Sequence, residues 1–214
     1  MKLIGIIDYG MGNLHSVSKA LERLDQPYFV TDSTVELEKA DGLILPGVGS
    51  YRDAMNILSG TGLRSFLQNS VELGKPLLGI CLGMQLLFTE SEENGPTKGL
   101  NFLQGRCDRF SGVSASGVRY KVPHMGWNHL SFRQPNHSLL HGLKENYVYF
   151  VHSYVVQAGE PEDVLAASDY FADVPAVVGR GNVFGVQFHP EKSGTLGMAI
   201  LRNYCALVEG EVVR

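Results

Sequence analysis

Cys81 lies in a sequence pattern that suits a nucleophile. It is the third residue of Gly79-Ile80-Cys81-Leu82-Gly83, a cysteine version of the G-x-S-x-G sequence. The apolar run over residues 77–80 predicts a buried strand, and good helix formers follow over residues 82–88. A sharp strand-to-helix turn would present the thiol at the bend, where the helix N-terminus stabilises a thiolate. The alternative is a buried cysteine at a glycine-rich strand end.

His189 and Glu191 offer the partners that a nucleophilic thiol needs. They lie in Gly185-Val186-Gln187-Phe188-His189-Pro190-Glu191, an alternating run that brings His189 to a strand end. Pro190 restricts His189 to extended backbone. Glu191 could accept a hydrogen bond from the second imidazole nitrogen and orient the ring. These residues and Cys81 fit the base, orienting and nucleophile roles of acyl transfer, whereas His189 alone would more often be structural.

Backbone donors for an oxyanion are expected at two places. The turn at Cys81 would supply the N–H of Leu82, and the loop Gly47-Val48-Gly49 is the natural second source. No C-x-x-C or H-E-x-x-H spacing occurs, so we predict neither a bound metal nor a cofactor. Cys107 and Cys205 lie in apolar surroundings and are expected to be inert core residues.

The elements that must position these residues alternate between strand and helix. The sequence predicts strands at residues 3–7, 28–31, 41–46 and 77–80, with helices at 14–24, 35–39, 51–58 and 63–73. This alternation predicts an α/β fold, a three-layer sandwich with a mostly parallel central sheet. After an acidic loop at 90–96, shorter strands are predicted at 105–110, 127–132, 147–156, 164–167, 176–180 and 183–188, with a closing helix at 196–208. They predict antiparallel additions to the sheet.

Length and composition narrow the class of protein. The 214 residues suit one domain over 1–214, and the net charge of -4 argues against nucleic acid as the main partner. The N-terminus becomes charged too early for a signal peptide, and no apolar run approaches the roughly 18 residues of a membrane span. The glycine-rich loop at 8–13 lacks the spacing of a nucleotide site. Three cysteines without regular spacing fit a reducing compartment, so we expect a cytoplasmic protein.

The two motifs resemble those of class I (triad) glutamine amidotransferases, and the resemblance covers nearly the whole chain. Further stretches resemble the glutaminase subunits of imidazole glycerol phosphate synthase: residues 7–13, 46–50, 122–128, 149–154 and 192–193. The resemblance implies hydrolysis of L-glutamine to glutamate and ammonia. It also implies a heterodimer with a (β/α)₈ barrel cyclase subunit, which uses the ammonia to form imidazole glycerol phosphate and aminoimidazole carboxamide ribotide in histidine biosynthesis. The alternatives are the glutaminase subunit of another ammonia-channelling synthase and a non-catalytic regulatory subunit.

The resemblance also implies roles for individual residues. Cys81 would form a glutamyl thioester. The residues implied to hold glutamine are Gly49, Gln85, Glu93, Ser153 and Tyr154, of which Glu93 would take the ammonium group unless it is a surface charge. The residues implied to face the cyclase are Asn13, Pro123, Met125, Trp127, Tyr149 and Lys192. The Val48 N–H is implied to point away from the oxyanion until the cyclase binds its own substrate.

Overall fold

The central feature of the fold is an eight-stranded sheet. The structure, a computed structural model, describes residues 2–210. In spatial order the strands are β2 (Tyr28–Thr31), β1 (Ile4–Ile7), β3 (Gly42–Gly47), β4 (Leu77–Cys81), β14 (Val183–Val186), β13 (Asp173–Arg180), β12 (Val164–Asp169) and β9 (Ser131–Phe132). The first five run parallel to one another, and the last three are antiparallel additions. The predicted mostly parallel sheet with antiparallel additions is confirmed.

Helices cover both faces of this sheet. They are α1 (Leu14–Arg23), α2 (Thr34–Leu37), α3 (Tyr51–Gly60), α4 (Leu63–Glu72), α5 (Leu82–Leu86) and α6 (Gly194–Glu209). Successive strand residues enter opposite cores: Ile6 packs with α1 and α6, whereas Ile7 packs with α3 and α4. The result is the three-layer sandwich. Within residues 2–210, no helix is both long enough and hydrophobic enough to cross a bilayer.

Two smaller sheets flank the carboxyl edge of the parallel strands. One pairs β8 (His124–His129) with β10 (Tyr147–His152) in antiparallel fashion. The other contains, in spatial order, β11 (Tyr154–Ala158), β7 (Gly105–Arg109), β5 (Glu90–Ser91) and β6 (Thr97–Lys98). The acidic segment that the sequence predicts to be a loop therefore contains part of an antiparallel pair, β5 with β6.

Two predicted strands are interrupted where the chain changes sheet. The strand predicted at 147–156 breaks at Ser153, whose carbonyl accepts a hydrogen bond from the Phe110 N–H. The strand predicted at 127–132 begins earlier, as β8, and its last two residues pair instead with β12. Both runs are rich in strand-forming residues across the break, so the sequence pattern does not reveal where the pairing partner changes.

Helix α5 is shorter than the sequence predicts and ends at Leu86 rather than Phe88. The Leu86 carbonyl accepts a hydrogen bond from the Leu100 N–H, and the Leu87 carbonyl accepts one from the Phe102 N–H. A segment from elsewhere in the chain thus provides the partners that a longer helix would have provided.

Tyr204 anchors α6 to the parallel sheet and gives a test of the packing. Its buried hydroxyl donates to the Leu43 carbonyl at 2.6 Å and lies 3.1 Å from the Pro76 carbonyl. We expect Tyr204→Phe to lower the free energy of unfolding by about 1 kcal/mol in urea denaturation, because a buried hydrogen bond is lost. The control is Tyr28→Phe, which removes an exposed hydrogen bond to Glu22 and should change stability by less than about 0.5 kcal/mol. Equal effects of the two substitutions would contradict the anchoring role.

Candidate active site

Cys81 occupies the strained turn between β4 and α5. Its φ of 56° and ψ of -111° lie outside the conformations that most residues adopt. The turn needs glycine on both sides: a Cβ on Gly79 would come within 2.6 Å of the Gly83 backbone, and one on Gly83 within 1.9 Å of the Leu45 carbonyl oxygen. Cys81 is 7% exposed. The sequence therefore forms the sharp turn that its glycine spacing predicts, with the thiol at the start of a helix.

His189 follows β14 at the next strand end along the sheet. Its Nδ1 lies 2.9 Å from Oε1 of Glu191, whose side chain is almost fully buried at the start of a short 3₁₀ turn, Pro190–Lys192. The ring is held further by its backbone, because the His189 carbonyl accepts a hydrogen bond from the Ser193 hydroxyl. Glu191 thus orients the imidazole from the side away from Cys81.

The charge state of His189 follows from its two neighbours. Burial lowers the pKa of the imidazole, but hydrogen bonds to the Cys81 sulfur and to the Glu191 carboxylate outweigh burial and raise this pKa to about 9. At neutral pH the ring is therefore protonated, with the Cys81 sulfur on one side and the Glu191 carboxyl group on the other. Such an imidazolium can both stabilise a thiolate and deliver a proton to a leaving group.

A cavity of about 350 Å³ opens over Cys81. Of the residues predicted for the catalytic, oxyanion and substrate roles, those lining it are Val48, Gly49, Cys81, Leu82, Gln85, Glu93, Ser153, Tyr154 and His189. Glu191 stands behind His189, outside the lining. Pro123, predicted to face a partner, also lines the cavity. In the described part of the chain, no group of three His, Cys, Asp or Glu residues is arranged to hold a metal ion.

The loop over residues 47–49, predicted to help stabilise an oxyanion, has its Val48 N–H bound to another part of the chain. The Val48 N–H donates to the Met11 carbonyl at 3.0 Å, so in this conformation it does not supply the second donor that the loop was predicted to provide. Gly49 has a φ of 104°, and a Cβ there would lie 2.8 Å from Cε of Met11. The loop after β1 thus packs against the loop after β3 and fixes its orientation.

The polar side chains of the cavity are already engaged with the protein. Nε2 of Gln85 donates to Oε1 of Gln187 at 2.9 Å and to the Tyr154 carbonyl at 3.2 Å. Glu93 accepts a hydrogen bond from the Tyr51 N–H, at the start of α3, at 2.7 Å. Glu93 is therefore neither a free surface charge nor an uncommitted ligand, since one of its oxygens caps a helix.

Gln187 is a residue that the sequence reasoning missed. Its Nε2 lies 3.8 Å from the Cys81 sulfur, and its Oε1 accepts the hydrogen bond from Gln85. The sequence signal was the alternating run over residues 185–189, in which Gln187 and His189 are two apart, a spacing that puts side chains on the same side of an extended chain.

A buried pair of histidines, also missed, lies beside the cavity, and one of them, His152, is part of its lining. The Tyr154 carbonyl accepts from Nδ1 of His152 at 2.7 Å, so Nε2 of His152 must accept the hydrogen bond from Nδ1 of His124 at 3.0 Å. Burial lowers the pKa of His152 to about 3 and that of His124 to about 4. Both rings are neutral at pH 7, in contrast to His189. The pair connects strand β8 to the backbone of the cavity rim.

Two of the residues predicted to face a partner are large, exposed apolar side chains on β8. Met125 and Trp127 alternate along β8 and are 61% and 56% exposed. Tyr149 lies opposite Trp127 on β10, with their rings 6.0 Å apart in an edge-on arrangement. Asn13 caps α1 through its side chain, and Lys192 ends the 3₁₀ turn after His189. Large exposed apolar side chains grouped in this way are typical of protein interfaces.

Comparison with known proteins shows the family of this chain. The family model "Glutamine amidotransferase class-I" matches residues 5–207. The chain is 66% identical over 207 residues to the imidazole glycerol phosphate synthase subunit HisH of Halalkalibacterium halodurans, covering 97% of each chain. It is 66% identical over 208 residues to the subunit HisH of Geobacillus kaustophilus, covering 97% of this chain and 98% of the relative.

Solved structures share the fold. A crystal structure described as a glutamine amidotransferase superposes with a TM-score of 0.73 at 24% identity, covering 97% of this chain and 98% of that one. PurLQS from Thermotoga maritima gives a TM-score of 0.72 at 20% identity, covering 97% of this chain and 99% of the matched chain. The fold and the family match together define a class I glutamine amidotransferase. Within that class, the chain belongs to the HisH family of imidazole glycerol phosphate synthase subunits.

The contrast between the histidines can be tested by an NMR titration of the imidazole protons. We expect His189 to titrate near pH 9 and to be protonated at pH 7, with His124 and His152 neutral at every pH above about 5. Because the folded pKa of His189 exceeds the unfolded value of about 6.5, its contribution to stability is complete below pH 6.5 and is lost as the pH rises through 9.

The variant Glu191→Gln separates the causes of this shift. It removes the carboxylate charge from the Nδ1 side, so we expect the pKa of His189 to fall while the resonances of His124 and His152 stay unchanged. An unaltered titration of His189 in this variant would show that Glu191 does not set the charge of the ring.

Proposed function

We propose that this chain hydrolyses L-glutamine with Cys81, His189 and Glu191 and delivers the ammonia to a cyclase subunit. As a HisH subunit of a synthase, the chain works with a partner subunit. The observation that carries the proposal is the Cys81 thiol on a strained turn, in contact with an imidazole that is itself oriented by a buried carboxylate. A nucleophile, a base and an orienting carboxylate are the groups that acyl transfer requires.

The chemical steps follow from the charges of these groups. The thiolate of Cys81 attacks the carboxamide carbon of glutamine, and a tetrahedral intermediate with a negatively charged oxygen forms. The His189 imidazolium donates its Nε2 proton to the departing nitrogen, which leaves as ammonia, and a glutamyl thioester remains on Cys81. The neutral ring then takes a proton from water, whose oxygen attacks the thioester, and glutamate leaves as the thiolate is restored.

Stabilisation of the oxyanion depends on the loop after β3. The Leu82 N–H, at the start of α5, supplies one donor, and we propose that Gly49 and a reoriented Val48 N–H complete the site. Loss of one such donor typically costs about 2.7–4 kcal/mol, or a factor of 10² to 10³ in rate. While the Val48 N–H donates to the Met11 carbonyl, this second donor is missing, so we propose that glutamine is hydrolysed slowly in this conformation.

The cavity residues outside the catalytic and oxyanion groups are proposed to bind glutamine. We propose that Gln85, Ser153 and Tyr154 hold its backbone end, with the second oxygen of Glu93 placed to accept from the ammonium group. The cavity of about 350 Å³ suits a small polar molecule. Because Gln85 and Tyr154 are already joined by a hydrogen bond, the site is largely formed before substrate arrives.

The partner is proposed to be the (β/α)₈ barrel cyclase of the synthase, bound as a heterodimer. Its docking surface would be formed by Asn13, Pro123, Met125, Trp127, Tyr149 and Lys192. In neutral water ammonia is mostly protonated and loses its nucleophilicity, so a sealed path between the two sites preserves it. The cytoplasm is the proposed location, since all three cysteines are buried free thiols.

Substitution of the proposed nucleophile separates the release of ammonia from glutamine from the later use of ammonia by the cyclase. We expect Cys81→Ala to abolish glutamine-dependent synthesis in the complex with the cyclase, while synthesis from added ammonia continues at the wild-type rate. Cys205→Ala, which alters another buried thiol on α6, should retain glutamine-dependent synthesis. Normal glutamate release by the Cys81→Ala variant would refute the assignment of the nucleophile.

Partner-dependent activation tests the state of the oxyanion loop. We expect the isolated chain to release glutamate slowly, and the rate to rise about 10²- to 10³-fold when the cyclase and its ligand are added, the range that one recovered oxyanion donor explains. The measurement is glutamate release with and without the barrel subunit. Full activity in the isolated chain would mean that the Val48 N–H is not the limiting donor.

A further inference from the structure

Tyr9 has a buried hydroxyl without a hydrogen-bond partner. The residue lies on the loop between β1 and α1, it is 5% exposed, and its Oη contacts no donor or acceptor within hydrogen-bonding geometry among residues 2–210. Burial raises the pKa of Tyr9, so the hydroxyl stays protonated and available as a donor. Buried polar groups are nearly always satisfied in folded proteins, so an orphaned hydroxyl beside a reactive site needs an explanation.

The hydroxyl lies against the peptide that carries the oxyanion donor. A Cβ added to Gly47 would be 2.7 Å from Oη of Tyr9, 2.8 Å from the Gly83 nitrogen and 2.9 Å from Cβ of Leu82. Tyr9 therefore touches the backbone of Gly47, the residue whose carbonyl belongs to the same peptide unit as the Val48 N–H. The position of Tyr9 is fixed locally, since the Asp8 carboxylate accepts a hydrogen bond from the Gly10 N–H.

Reorientation of this peptide changes what each of its polar groups meets. In a planar trans peptide the N–H and C=O point in opposite directions. The Val48 N–H now points to the Met11 carbonyl. If the peptide rotates so that this N–H faces Cys81, the Gly47 oxygen moves to the side that the N–H has left. There it faces the Met11 carbonyl oxygen, another acceptor, and it requires a donor.

We propose that Tyr9 supplies that donor and is a positioning residue for the activated oxyanion loop. In the rotated state its hydroxyl donates to the Gly47 carbonyl oxygen, which satisfies two groups at once. In the state described here, the Val48 N–H is satisfied and the Tyr9 hydroxyl is not. The inference rests on the proposed function, because it assigns Tyr9 to the same loop whose Val48 N–H stabilises the oxyanion.

Tyr51 provides a matched control within the same chain. Its hydroxyl is also buried and without a partner among the described residues, but it lies beside Gly99, where an added Cβ would be 2.2 Å from it. Removing either hydroxyl is the same chemical change in a similar environment. Only Tyr9 contacts the Gly47 backbone, so only Tyr9→Phe should affect activation.

The experiment compares Tyr9→Phe with Tyr51→Phe in complex with the cyclase subunit and its ligand. We expect Tyr9→Phe to lower the kcat of activated glutamate release about ten-fold, with unchanged KM for glutamine, unchanged release by the isolated chain and unchanged ammonia-dependent synthesis. Its melting temperature should equal or exceed that of the wild type, because an unsatisfied hydroxyl is removed. Tyr51→Phe should show the same thermal behaviour with wild-type activation.

Four outcomes would overturn the inference. Wild-type activation in Tyr9→Phe would show that the hydroxyl has no part in the rotated state. An equal loss of activity in the isolated and activated chains, or a lowered melting temperature, would show a merely structural role for Tyr9. Absence of activation in the wild-type complex would refute the proposed gating and this inference with it, which distinguishes that failure from a failure of Tyr9 alone.

Discussion

The close contact between the β4–α5 turn and the end of β3 is the constraint on which the site depends. A side chain at Gly83 would overlap the Leu45 carbonyl, and one at Gly47 would meet the Gly83 nitrogen and Tyr9. Because these positions carry no side chain, the helix N-terminus, the thiol and the loop after β3 come together at one sheet edge. The arrangement requires a strained backbone at Cys81. Such strain persists only where contacts from the surrounding structure hold the residue in place.

The electrostatic surroundings give different protonation states to histidines that lie close together. His189 has a sulfur on one side and a carboxylate on the other, and it is held protonated. His152 and His124 bond to a carbonyl and to each other in a buried region, and they are held neutral. The same type of side chain is thus a cation beside Cys81 and an uncharged structural link to strand β8. Neighbouring groups, and not the residue type, decide which role each ring can fill.

Under the proposed function, assembly of the nucleophile and completion of the oxyanion site are separate events. The described structure has the first and lacks the second, since the Met11 carbonyl holds the Val48 N–H. The loop that carries Met11 ends at Asn13, the cap of α1, which belongs to the proposed docking surface. A partner that contacts this loop can therefore shift the orientation of one peptide. Couplings between distant sites are typically about 1–3 kcal/mol, which one peptide and its hydrogen bonds can supply.

The sequence by itself determined the α/β class, the sharp turn at Cys81 and the placement of Glu191 beside His189, because alternation, glycine spacing and a separation of two residues are local properties of the chain. Only the tertiary structure decided that His189 meets a thiol more than one hundred positions away. It also decided that the chain changes sheet at Ser153 and that the Met11 carbonyl accepts a hydrogen bond from the Val48 N–H. The contact between Gln187 and the Cys81 sulfur likewise depends on the tertiary structure. These contacts depend on which strands become neighbours, and a local pattern of residues does not specify its distant hydrogen-bond partners.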